Sequence, residues 1–114
     1  MSYKIYHNPR CSKSRQTLSL LEDNGINPQI IEYLKEVPTK KEIREILNLL
    51  NIEAIELIRK GEIIYKENYK GKKLSNEEWI DAMIENPKLI ERPIVIKNKM
   101  AIIGRPPEKV LELL

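Results

Sequence analysis

A strand, a helix and a second strand follow one another within residues 4–33, and this succession restricts the fold more than any other stretch of the chain. Lys4-Ile5-Tyr6-His7 reads as a short strand. Ser12 to Asn24 reads as a helix that turns Leu18, Leu21 and the Thr17 methyl toward a core, with Gly25 stopping it as the first residue beyond the cap. Gln29-Ile30-Ile31-Glu32-Tyr33 reads as the next strand. Two strands joined across one helix are parallel, with a right-handed crossover.

The middle of the chain reads as helical. Thr39-Lys40-Lys41-Glu42 and Ser75-Asn76-Glu77-Glu78 are capping boxes, each followed by apolar residues at helical spacing. Ala54 to Lys60 reads as a short helix between them, and Asn86-Pro87 ends the second capped helix. Ile94-Val95-Ile96-Lys97 and Met100-Ala101-Ile102-Ile103 flank Asn98-Lys99 as a hairpin, and Pro107 opens a last helix. The order is β-α-β, then helices, then β-β-α. It describes one α/β domain over residues 1–114.

Composition narrows the class. No run approaches the ~18 apolar residues of a membrane span, and the first residues lack the apolar centre of a secretory signal. The formal net charge of +3 suits an anionic small molecule or an acidic partner and is too small to argue for nucleic acid. One cysteine excludes an internal disulfide, and one cysteine with one histidine is a poor basis for a metal site. The expectation is a cytoplasmic monomer in a reducing compartment, with no bound cofactor and no metal.

That single cysteine, Cys11, lies where the first strand hands over to the helix. Unpaired N–H groups at a helix start favour an anion, and cysteines placed there or beside cations have pKa values of about 3.5 to 7.5. Arg10, Lys13 and Arg15 surround it in sequence. The alternative, a buried and inert thiol, calls for apolar neighbours instead of basic ones. Cys11 therefore reads as a nucleophile.

Three of the six arginines stand at element ends: Arg59, Arg92 and Arg105. A turn at Asn98-Lys99 pairs Lys97 with Met100 and, carried outward, sets Arg92 across from Arg105. Like charges facing each other in a ladder are destabilising by roughly 0.2–1 kcal/mol, so such a pair invites an anion, which guanidinium forks bind in bidentate fashion. A third strand antiparallel to the first would bring this pair to the rim that carries Cys11. Solvated strand-end arginines are the plainer alternative. Two familiar cysteine motifs are missing. A phosphatase-type loop needs Arg six residues after Cys, where Thr17 stands, and a dithiol motif needs a second Cys where Ser14 stands. Any redox cycle must borrow a thiol from outside. A Cys11 thiolate could accept a hydrogen bond from the Ser14 hydroxyl, and Arg15, one turn along, could help hold it. An ordinary first-turn role for Ser14 and Arg15 stands beside that reading.

Four motifs together resemble the glutaredoxin-linked arsenate reductase (ArsC) family over essentially the whole chain. They are Tyr-His-Asn-Pro-x-Cys-x-x-Ser-Arg at Tyr6 to Arg15, Leu-Ile-Arg-Lys at Leu57 to Lys60, Glu-Arg-Pro-Ile-Val at Glu91 to Val95, and Ile-Gly-Arg-Pro at Ile103 to Pro106. The resemblance implies a thioredoxin-like fold with a mixed four-stranded sheet and a helical insertion at about residues 39–90. It implies that Cys11 attacks arsenate, that Arg59, Arg92 and Arg105 hold the oxyanion, and that His7, Ser14 and Arg15 tune the thiolate. Pro93 is then a cis proline, and glutathione and glutaredoxin supply the electrons. Two other readings share the fold: an Spx-type regulator that binds RNA polymerase, and a glutathione-dependent thiol reductase of another substrate. Ser14 and Gly104-Arg105-Pro106 argue for the arsenate reductase branch.

Overall fold

The strands β1 (Tyr3–Tyr6), β2 (Gln29–Ile31), β3 (Ile94–Lys97) and β4 (Met100–Ile103) form one mixed sheet in the order β2-β1-β3-β4. The computed structural model describes residues 2–114. β1 and β2 are parallel, with Ile5 opposite Ile30, and α1 (Ser12–Asp23) connects them. β3 runs antiparallel to β1, with Ile5 opposite Val95 and Tyr6 opposite Ile94. β4 returns antiparallel to β3, pairing Lys97 with Met100 and Ile94 with Ile103. Asn98 turns the hairpin at a φ of 54°, in the left-handed region that Asn tolerates better than most residues. β2 is shorter than its sequence suggests: Glu32 and Tyr33 leave the sheet, and the Glu32 carbonyl accepts from the Lys35 and Glu36 N–H groups in a turn.

Ile5, Val95 and Ile102 are neighbours across the strands. α1 and a C-terminal 3-10 helix (Pro107–Leu113) pack on one another and cover them. Ile5, Leu21, Val95, Val110 and Leu113 form the resulting core. Complete burial of one such aliphatic side chain is worth roughly 1.5–3 kcal/mol, so even this small cluster is a main source of stability.

The residues divide into two compact units. One comprises the sheet, α1 and the C-terminal helix, and the other is Val37–Glu91. The second unit is helical. α2 (Lys40–Leu50) and α4 (Asn76–Glu85) both start with complete capping boxes, at Thr39 with Glu42 and at Ser75 with Glu78. α4 packs on α2, and the exposed pairs Arg44–Glu77 and Lys40–Asp81 bridge the two helices. Exposed pairs of this kind contribute about 0–1 kcal/mol each. The helix expected over Ala54 to Lys60 is a 3-10 segment over Ala54–Leu57 only, because Ile58 is drawn into a bridge with Ile90. Between them lies α3 (Ile63–Asn68), with no buried residue of its own. Tyr65 stacks on Trp79, and Tyr69, the residue after α3, meets the same ring. No helix among the described residues is long and apolar enough to cross a membrane.

Antiparallel pairing sets the end of β1, the start of β3 and the end of β4 on one rim of the sheet. Gly104 closes that rim. Its N–H donates to the Pro93 carbonyl at 2.8 Å. A Cβ there would stand 2.7 Å from Thr17 Oγ1 and 2.9 Å from Pro93 Cγ. Gly104→Ala is therefore expected to cost about 1–3 kcal/mol by overpacking, measured as a lowered urea midpoint. Thr17→Ala should relieve part of it, so the double variant loses less than the two single losses added together. Strict additivity would show that the added methyl meets no obstacle.

Candidate active site

The loop after β1 is tied to the first turn of α1 by buried hydrogen bonds. The His7 N–H donates to the Ile31 carbonyl at 2.8 Å, carrying the β1–β2 pairing one residue past the strand. Asn8 Oδ1 accepts from the Arg10 N–H at 3.0 Å, folding a tight local turn. Ser14, fully buried, joins the two halves: its Oγ accepts from the Asn8 N–H at 3.0 Å and shares a 2.6 Å bond with His7 Nδ1. Burial, assisted by Arg15 and opposed by Glu32 and Glu22, holds the His7 imidazole below its ordinary 6.5, which favours the uncharged ring. Arg15 Nη1 donates to the Pro9 carbonyl at 2.9 Å. Arg15 and Ser14 therefore hold the loop from two sides.

Cys11 is the N-cap residue of α1, with extended backbone at φ −95° and ψ 121°. Its N–H donates to the Asn8 carbonyl and its carbonyl accepts from the Arg15 N–H, both at 3.0 Å. The neutral thiol makes no full capping hydrogen bond, but it occupies the place where a capping oxygen would sit. Partial burial pushes the thiol pKa up. The Ser14 backbone N–H, the Arg92 guanidinium and the Lys13 backbone N–H outweigh that and hold it below the ordinary cysteine value. The cation at the sulfur is thus Arg92, from the far end of the sequence. Arg10, Lys13 and Arg15, the expected source of charge, are exposed. The Ser14 hydroxyl is spent on His7 and Asn8, and it is the Ser14 backbone N–H that serves the sulfur.

The hairpin register continues past β3 and β4 and sets Arg92 beside Arg105, whose Nη1 donates to the Arg92 carbonyl at 3.3 Å. The Arg92–Pro93 peptide bond is cis, and so is Arg105–Pro106, which no spacing in the sequence signals. Arg59 belongs to the second unit. Its backbone N–H donates to the Leu89 carbonyl at 2.7 Å, and its Nε lies 3.5 Å from Glu91 Oε1. Its Nη1 is buried with no hydrogen-bond partner, and a buried guanidinium N–H left in that state calls for an acceptor. Tyr33, in the turn after β2, is fully buried with its hydroxyl facing Arg92, Asn8 and Cys11. In the sequence it stands only as the last residue of the stretch read as the second strand. Among the described residues, no group of three or more His, Cys, Asp or Glu side chains could hold a metal ion.

The ArsC family model matches residues 6–113. The chain belongs to the ArsC family. Among its relatives, the arsenate reductase of Haemophilus influenzae is 47% identical over the full length of both chains. An uncharacterized Escherichia coli (strain K12) protein, YfgD, is 53% identical over 96% of this chain and 94% of its own. The solved arsenate reductase of Vibrio cholerae superposes with a TM-score of 0.95 at 51% identity, covering 100% of this chain and 98% of that one.

In this ArsC chain the alkylation rate of Cys11 should reach its half-maximum below the pH of about 8.5 of a free cysteine. The sign follows from Arg92 and the two N–H groups, which stabilise the charged form and so let the proton leave at lower pH. Arg92→Gln should move the midpoint upward, and Arg10→Gln should leave it in place. Equal shifts from both variants would return the effect to the general basic charge of the loop.

Proposed function

We propose that this chain reduces arsenate to arsenite with Cys11 as the nucleophile and external thiols as the reductant. One observation carries the reading: a lowered-pKa cysteine at a helix start whose sulfur faces Arg92, with Arg105 beside it. A thiolate and an oxyanion repel each other, so their reaction needs fixed positive charge and N–H dipoles where both meet. Relatives named arsenate reductase at 47% and 51% identity support the choice of oxyanion.

The Cys11 thiolate attacks arsenic, and one arsenate oxygen leaves as water, giving an S–As bond with arsenic still pentavalent. No second cysteine exists to resolve it, so glutathione does. Its sulfur attacks the Cys11 sulfur, the S–As electron pair passes to arsenic, and arsenite departs. The two thiols together have lost two electrons and are joined as a mixed disulfide. Glutaredoxin exchanges with that disulfide and returns Cys11 to the thiolate. Arg92 and Arg105 bind the oxyanion, and the family pattern makes Arg59 the third substrate arginine. His7, Ser14 and Arg15 contribute by holding the loop that carries Cys11.

Turnover should require arsenate, glutathione and glutaredoxin together and vanish in Cys11→Ser. With glutaredoxin withheld, intact mass spectrometry should find one glutathione on Cys11. A folded protein without turnover or adduct would favour a reductase of another substrate, and partner binding independent of oxyanion would favour a regulator. Arg59→Lys and Arg105→Lys keep the charge and lose the fork. Each should raise the arsenate KM roughly tenfold to a hundredfold, the worth of one charge-assisted hydrogen bond, with the urea midpoint little changed. An unaltered KM in either variant would remove that arginine from the site.

A further inference from the structure

Tyr33 is a core residue by exposure, with none of its surface open to water. Its hydroxyl is nevertheless a polar group, and it is buried without a hydrogen-bond partner. A buried hydroxyl left in this way carries an uncompensated desolvation penalty. A phenylalanine would fill the same space without it. The hydroxyl also does not point at random. It faces the Cys11 thiol, the Arg92 guanidinium that acts on that thiol, and the Asn8 side chain.

We infer that Tyr33 is a substrate-binding residue, whose hydroxyl donates a hydrogen bond to the oxyanion held between Cys11 and Arg92. The inference rests on the oxyanion-site reading above and adds a donor to it. Burial, partly offset by Arg92 and reinforced by Cys11, pushes the Tyr33 hydroxyl up to about 12. It therefore stays protonated wherever the protein works and acts as a neutral donor, not as an acid or base. A neutral donor suits this position. It can approach the anion without repelling Arg92, and it adds no positive charge that would further bind the thiolate in the resting state. Oxyanion entry would satisfy the orphaned hydroxyl, which ties part of the binding free energy to a defect present in the empty protein.

Tyr33→Phe tests this with two readouts that should move in opposite directions. The urea midpoint of the free variant should equal or exceed that of the unsubstituted protein, because only an unsatisfied group is lost. Affinity for sulfate, measured by calorimetry as a non-reacting probe, should fall about tenfold, matching one neutral hydrogen bond to a charged group. The arsenate KM should rise to a similar extent, with the pH midpoint of Cys11 alkylation nearly unmoved. Tight sulfate binding by Tyr33→Phe, equal to that of the unsubstituted protein, would overturn the assignment of Tyr33 and leave the arginine site standing. A lowered urea midpoint with unchanged affinity would make Tyr33 purely structural. If the unsubstituted protein binds neither sulfate nor arsenate, the oxyanion site itself fails, and Tyr33 falls with it.

Discussion

Holding a negative sulfur in a place partly stripped of water costs free energy, and the sheet unit is arranged around that cost. Cys11 stands at a helix start, where the N–H groups of Ser14 and Lys13 have no intrahelical acceptor. An anion satisfies them better than a thiol does. Arg92 completes the compensation from the segment just before β3. The first contribution is local and follows from the position of Cys11 as N-cap. The second depends on the antiparallel pairing of β1 with β3, which brings residues more than eighty positions apart to one rim.

A site of this kind works only if its parts do not drift. The His7–Ser14–Asn8 hydrogen bonds fix the loop to α1, and the Thr17–Gly104–Pro93 contact fixes α1 against the start of β3. Ser14 and Thr17 are one turn apart on the same face of α1, and both are fully buried. A single helix face thus holds the Cys11 loop at one residue and the Arg92 strand at the next. The small size of Gly104 is what permits that approach. Rigid backing matters because positioning accounts for much of the rate gain in reactions between two bound groups.

Features set by short-range chemistry were legible in the sequence. Both capping boxes mark the starts of α2 and α4 to the residue, since side chain and backbone three positions apart meet whatever surrounds them. The hairpin register follows from one turn and the period of two, and the observed pairing from Ile94–Ile103 to Lys97–Met100 agrees with it. Features set by tertiary context were not. α3 is too short to show a period and relies on Trp79. Ile58 is extended because Ile90 pairs with it. The cation at the sulfur is Arg92, although Arg10, Lys13 and Arg15 are nearer along the chain, because sequence distance says nothing about where a guanidinium folds back. Tyr33 reads only as a strand residue until its hydroxyl is placed next to Arg92.

The central claim is that the Cys11 thiolate and a bound oxyanion draw on the same positive charge. Sulfate tests it most directly, since its own charge is constant across the range where a thiol titrates. Sulfate should protect Cys11 from alkylation in a saturable manner. The concentration for half-protection should rise with pH as the thiolate forms, and Cys11→Ser should bind sulfate with no such rise. Saturable sulfate binding that leaves the alkylation rate of Cys11 untouched at every pH would contradict the account.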